Sequence, residues 1–435
     1  MNKAAQAFVK RGTELLTTAE LTGAIRLRRR VLETTEKAPW SRLMDGALDH
    51  TLSAVEKDLL PQLLRLRTKS LIPPGLVEIL GRSWVGRFIA EASASKRSVP
   101  ALARKYAKLL LAEGTVPHFT ERHVIPLVNF SAARKFTLSG TVGRMSYKLR
   151  FMPYPAVRDP AELGFHAFAE PLDRAHEVRG YLGWVSDWVA VLDFVREKNR
   201  KSYPSQNTHL TASFDDGLIT ALRLFQDGDV DGPLRIYSRS LLYLSGGRSL
   251  MYSRQRTGPG KQYVLDESGI KRFQRLWKWF NAYIPVVDRT PPRIGLAISY
   301  YDSSYSKPLL AKFLDLHIGL ESLFNIRFEQ TYRLPIQVAA LLGRTKGEAL
   351  DLFDKVRGLW KVRNKIAHGD KTCRSPKFQK EAQDRIPELR SLLREAILRH
   401  FKLLDDAAGN PDTYEATVGE NFEREFVVGR GLPDT

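Results

Sequence analysis

A chain of 435 residues with 43% hydrophobic and 27% charged content has the make-up of a globular protein of two or three domains. Lys and Arg number 68 against 48 Asp and Glu, a net charge of +20 that favours a polyanionic partner, nucleic acid ahead of a membrane surface. The bland alternative is basicity that serves solubility only. The single cysteine, Cys373, excludes an intramolecular disulfide and a multi-cysteine zinc site, and fits a reducing, cytoplasmic compartment. No apolar run suits a signal peptide or the ~20 residues of a membrane span, so a soluble protein with no membrane partner is expected.

Residues 1–128 read as a helical N-terminal region. Leu15, Leu16, Leu21, Ile25 and Leu27 open an apolar pattern that Pro73-Pro74, Gly81 and Gly86 interrupt. Arg26, Arg28, Arg29 and Arg30 form a basic cluster, either a solvated helix face or a phosphate contact. His118, Glu121 and His123 in PHFTERHVIP superficially suggest a metal site. Their spacing is not His-Glu-x-x-His, no further ligand is evident, and Pro117 and Pro126 bracket what reads as a loop. No metal and no cofactor are expected.

Residues 129–265 read as a mixed α/β region. Lys135–Thr141 and Arg144–Met152 alternate polar and apolar residues like a hairpin. Gly180–Phe194 reads as an apolar helix. Asp215-Asp216 reads as the cap of a short helix, Gly217–Phe225, which ends in the turn at Gln226. Strands are expected over Pro233–Tyr243, Arg248–Tyr252 and Gln262–Leu265. Gly258-Pro259-Gly260-Lys261 lacks the length and the hydroxyl residue of a phosphate-binding loop and reads as a turn.

Residues 266–404 carry 3.6-residue apolar periodicity near 266–284, 292–304, 308–325, 331–342, 346–368 and 379–404, as in a helix bundle. Residues 405–435 form an acidic tail, expected to be mobile. The fold expected is therefore mainly α, with a C-terminal antiparallel helix bundle preceded by the mixed α/β and helical N-terminal regions.

Familiar catalytic schemes are absent. There is no Gly-x-Ser-x-Gly, no Gly-x-x-x-x-Gly-Lys-Ser/Thr and no His-Glu-x-x-His. Lys371 and Arg374 could lower the pKa of Cys373, although a surface thiol without a role is the plainer reading. What remains is KVRGLWKVRNKIAHGD, residues 355–370, the end of an amphipathic helix with Gly369 at a left-handed cap. Arg363 precedes His368 by five residues. Chance alone predicts about three Arg-to-His spacings of four to six in such a composition; two occur, and the second is Arg394 to His400. The spacing carries no weight by itself. The helix stop does, because it would let His368 turn back towards Arg363, whereas Arg394 and His400 lie on different faces of one helix. Glu321, on the apolar helix KFLDLHIGLESLF, needs a cationic partner if buried, and Arg363 is the choice; a plain helix-pairing salt bridge is the alternative.

Three ordered blocks, KFLDLHIGLESLFN, YRLPIQVAALLG and VRGLWKVRNKIAHGD, resemble the HEPN domain, specifically its Apea-like branch, over about residues 266–404. The resemblance implies an α-helical bundle that dimerises and brings two Arg-x4–6-His motifs into a composite cleft. It implies a metal-independent endoribonuclease of toxin or anti-phage defence type, with RNA (tRNA included) as substrate. A controlling partner, activating or inhibiting, goes with such systems. Arg363 and His368 would be catalytic, with Asn364 in the polar position after the arginine and Glu321 as an acidic residue of an early core helix. The usual Tyr-Asp-x-Arg-Ser block is here Trp-Lys-Val-Arg-Asn, so Lys361 replaces an acid. Alternatives are a non-catalytic HEPN module that binds nucleic acid or a protein, and a toxin silenced by nucleotide modification.

Overall fold

The computed structural model describes residues 3–19, 98–115, 118–142, 145–153, 187–197, 208–232, 236–239, 261–280, 290–324 and 330–418, with scattered residues between 21 and 92. The described chain is mostly helical with a small antiparallel sheet. It divides into two compact units, each assembled from separate stretches. One comprises Met1–His209, Gly232–Met251 and Leu265–Ile270; the other comprises Leu210–Asp231, Tyr252–Val264 and Lys271–Thr435.

In the first unit, α1 (Lys3–Leu16) packs on α2 (Val99–Thr115). Phe8, Leu15 and Leu16 join Leu102, Tyr106 and Leu110 in one apolar core with Trp84 and Phe88. The indole N–H of Trp84 donates to the Tyr106 carbonyl at 2.7 Å, so this buried donor is satisfied. The Arg26–Arg30 cluster lies outside the described residues.

The sheet of this unit is built from β1 (His118–Leu127), β3 (Phe136–Val142), β4 (Met145–Pro153), β5 (Trp188–Glu197) and β6 (Ile236–Arg239), in the order β3-β4-β5-β1-β6; β2 (Phe130–Ala132) lies outside it. The β3–β4 hairpin matches the alternating pattern, with Phe136 opposite Phe151 and Leu138 opposite Leu149. Two expectations are corrected. HFTERHVIP is not a loop: these residues lie in β1, which is paired along its whole length with β5. Among the described residues β6 pairs with Glu121–Val124 of β1, and Pro126 lies opposite Val189 of β5. Residues 1–128 are therefore not helical throughout. Likewise, 188–194 belong to β5 and not to a helix. A run buried from Trp188 to Leu192 has no period to betray its geometry, and Val189, Val191 and Val195 favour the extended chain. The short strand expected at 248–252 lies outside the described residues.

The second unit is helical. It holds most of α3 (Thr208–Phe225), of the short strand β7 (Tyr263–Leu265) and of α4 (Glu267–Phe280), and all of α5 (Pro292–Ser303), α6 (Leu309–Leu323), α7 (Gln330–Leu342), α8 (Lys346–Ala367), α9 (Pro376–Asp406) and α10 (Pro411–Val418). From α4 to α9 the boundaries follow the apolar periodicity closely. α3 is longer than expected: Asp215 and Asp216 sit inside it, not at its cap, and Asp215 is fully buried. α6 packs on α5, α8 and α9, and α7 packs on α8. Gly319 permits the close approach, since a Cβ there would lie 2.9 Å from Leu393 Cδ2 and 3.2 Å from Tyr300 Cβ.

The loop after α3 is pinned by charge. Arg223 donates Nη1–H to Asp302 at 3.0 Å, pairs with Asp231 at 3.4 Å and donates Nε–H to the Val230 carbonyl. Its guanidinium lies 4.1 Å from the Tyr305 ring, and that of Arg390 lies 4.3 Å from the same ring. Lys261 takes Asp227 at 2.7 Å. Burial raises the Asp302 pKa, against the pull of Arg223 and the Thr220 hydroxyl. Buried Arg223 thus serves both Asp302 and Asp231, while Asp227 has Lys261 at the surface.

The start of the acidic tail is ordered, in contrast to the expectation. α9 runs through Asp406, a turn with positive φ at Ala408 and Gly409 follows, and α10 buries Tyr414 and Val418. Arg293 donates to Glu415 at 2.6 Å and ties α10 to α5. Residues 419–435 lie outside the described residues.

Candidate active site

α8 begins with a reciprocal cap. The Thr345 hydroxyl accepts from the Glu348 N–H at 3.2 Å, and the Glu348 carboxylate accepts from the Arg344 N–H at 2.9 Å. It ends as the glycine predicts. Gly369 has φ +65°, its N–H donates to the Ile366 carbonyl, and the Asp370 N–H donates to the Lys365 carbonyl. This is the paired bonding of a Schellman stop. Between these ends, Val356, Leu359, Trp360 and Val362 are buried and hold the helix in register against its neighbours.

That register brings Arg363 to Glu321. The Arg363 Nε lies 3.3 Å from Glu321 Oε1, and Nη2–H donates to Oε2 at 3.4 Å. The Nε contact is an ion pair without hydrogen-bond alignment. Nη1–H donates to Asn364 Oδ1 at 3.3 Å, and the guanidinium sits 4.9 Å from the Trp360 ring. With side-chain exposures of 21% and 18%, the pair is shielded enough to matter and open enough to meet an anion.

His368 is not in this cluster. Its N–H still donates to the Asn364 carbonyl at 3.0 Å, the ordinary helical bond, and its φ and ψ are −89° and 3°. The break falls one residue later, at Gly369. Five helical positions separate Arg363 and His368 by about 140° around the axis. The expectation that the helix end turns His368 back to Arg363 is therefore corrected. His368 instead shares a stripe with Lys361 and Lys365, seven and three residues before it, and all three are exposed.

His317 lies in the apolar stretch KFLDLHIGLESLF, where no catalytic motif marks it. It is fully buried on α6, one turn before Glu321, with Nδ1 3.0 Å from Glu321 Oε1 and its ring 5.3 Å from Trp360. Its helical spacing of four from Glu321 was the available signal.

The remaining candidates are structural. His400 is buried, with Nδ1 2.7 Å from the Tyr414 hydroxyl, and burial with Arg293 nearby lowers its pKa to about 3. Cys373 is buried rather than at the surface, and burial together with Asp370 raises its pKa, opposite to the activation by Lys371 and Arg374 that sequence position suggests. The Asp370 carboxylate is held below its usual range by the Thr372 N–H and hydroxyl and caps the turn Lys371–Arg374. Glu121 and His123 are buried in β1 and bonded to each other at 3.1 Å. Among the described residues no group of three or more His, Cys, Asp or Glu is arranged to hold a metal, and no helix is long and apolar enough to cross a membrane.

No family model, no curated protein and no solved structure matches the chain.

Proposed function

We propose that this chain is a metal-independent endoribonuclease of toxin or defence type, HEPN-like in its helical second unit, acting as a homodimer. The observation that carries this reading is the Glu321–Arg363–Asn364 cluster, set on the same helix as an exposed stripe of Lys361, Lys365 and His368. A guanidinium already oriented by a carboxylate and an amide is ready to grip a phosphate without reorganising. The lysines supply sequence-independent attraction for the backbone on either side.

The chemistry needs only these groups. His368 removes the proton from a ribose 2′-hydroxyl, the 2′-oxygen bonds to phosphorus, and the bond to the 5′-oxygen breaks. A second imidazole returns a proton to that oxygen, and the product is a 2′,3′-cyclic phosphate. DNA, which has no 2′-hydroxyl, resists. Because Arg363 and His368 of one chain diverge by about 140°, a phosphate engaged by both groups draws them from two copies, which favours the dimeric site.

Wild-type and His368→Ala protein incubated with total RNA in EDTA decide the matter. Cleavage by the wild type that disappears in the variant is expected. Equal cleavage by both, or none by either, overturns it. The same divergence favours the second reading, a module that binds RNA without cutting it; this predicts wild-type affinity for RNA with no turnover.

A further inference from the structure

His317, Glu321, Arg363 and Trp360 form a closed ring of contacts. Glu321 Oε1 receives His317 Nδ1 at 3.0 Å on one side and Arg363 Nε at 3.3 Å on the other. Trp360 closes the ring, with its indole against the imidazole at 5.3 Å and the guanidinium at 4.9 Å. The proton positions follow from the partners. An ionised carboxylate only accepts, so Nδ1 must carry a hydrogen. His317 Nε2 is buried with no hydrogen-bond partner, and so is Trp360 Nε1, whose N–H only donates. A second proton on Nε2 would bury two unpaired donors in adjacent rings, where a bare acceptor beside a donor costs less. Nε2 is therefore the nitrogen without a hydrogen.

We infer that His317 is a positioning residue of the Arg363 site: through Nδ1–H it fixes the Glu321 rotamer and so sets the angle of the guanidinium. Arg363 alone could swing on its long side chain, since its Nε contact lacks hydrogen-bond alignment. Held by Glu321 on one edge, by Asn364 on another and by Trp360 across its face, it presents one direction to a phosphate. His317 touches no substrate, because it is fully buried. The catalytic consequence rests on the ribonuclease reading above; the Nδ1–H donation to Glu321 does not.

The test uses the full chain and two readouts. Nitrogen-15 NMR of histidine-labelled protein identifies the His317 signal by its loss in His317→Asn. The expected pattern is protonation on Nδ1 with a bare Nε2, displaced by Glu321→Gln; an Nε2-protonated ring, or a signal indifferent to Glu321→Gln, overturns the inference. In the RNA assay, His317→Leu keeps the volume without the donor and should lower kcat by about 10²-fold with KM nearly unchanged. His317→Asn, whose amide N–H replaces the Nδ1 donor, should recover to within a few-fold of wild type. Wild-type kcat in a folded His317→Leu protein overturns the positioning role. If the wild type cuts no RNA at all, the ribonuclease reading falls and NMR alone judges the His317–Glu321 bond.

Discussion

Two helices of the same unit carry an arginine with a histidine five or six residues later, and they use the pair in opposite ways. On α9, His400 points into the core, bonded to the Tyr414 hydroxyl and edge-on to Phe324, while Arg394 donates to the Ser391 hydroxyl at 3.3 Å. On α8, the arginine is the anchored member and the histidine is left at the exposed helix end. The spacing is nearly the same; the helix phase and the distance to the terminus differ. A histidine about 36 Å along a continuous helix is placed by whatever packs there, whereas one at a Schellman stop is placed by the end of packing.

The largest expected effect tests the buried member. His400 has a folded pKa of about 3 against an ordinary 6.5. A depressed histidine is neutral in the fold but takes a proton in the unfolded chain, so stability present above pH 6.5 is lost as pH falls towards 3. The loss approaches about 5 kcal/mol as an upper bound. Urea unfolding at stepped pH should show this slope in the wild type and a flatter one in His400→Leu; identical slopes would break the contrast. Next, Arg363→Ala should reduce RNA cleavage about 10²–10³-fold, or ~3–4 kcal/mol in the barrier, while Arg394→Ala leaves cleavage within a few-fold. Equal losses in both would mean that the exposed and buried pairs are not distinct.

Smaller changes sharpen the same contrast. Gly319→Ala should cost about 1–3 kcal/mol in thermal melts, because its Cβ would press on Leu393 and Tyr300 where α6 crosses its neighbours. Tyr414→Phe removes one buried hydrogen bond to His400 and should cost about 1 kcal/mol, with cleavage unaffected. Lys361→Ala should leave stability unchanged and lower the salt dependence of RNA binding by about one ion, read from affinity against salt concentration. A steeper loss would mean that Lys361 does more than attract the backbone.

Legibility varied with the kind of signal. Helices α4 to α9 were readable because each repeats its apolar residues every three or four positions, and one buried face per helix is all such a bundle needs. Gly369 was readable because the left-handed stop costs an L side chain more than it costs glycine. The Glu321–Arg363 pair was readable from charge balance, since an acid on an apolar helix needs a cation. β1 and β5 were not. In β5 the run Trp188–Leu192 is buried without alternation, so neither period appears, and in β1 the charged Glu121 and a proline disguised a strand.

By itself, then, the chain's order of residues determined the helical periodicity, the Schellman stop after His368 and the need of Glu321 for a cation, because these depend on neighbours three to four positions apart or on one residue's conformational freedom. Only the tertiary structure decided that β1 and β5 pair, that Tyr414 shelters His400, that His317 joins Glu321 beneath Trp360, and that His368 looks away from Arg363. The first two rest on contacts between stretches distant in sequence, which no local pattern records; in the third, His317 and Glu321 are one helical turn apart and only Trp360 comes from a distant helix. The last rests on a single hydrogen bond, His368 N–H to the Asn364 carbonyl, which holds helical geometry up to the Gly369 stop.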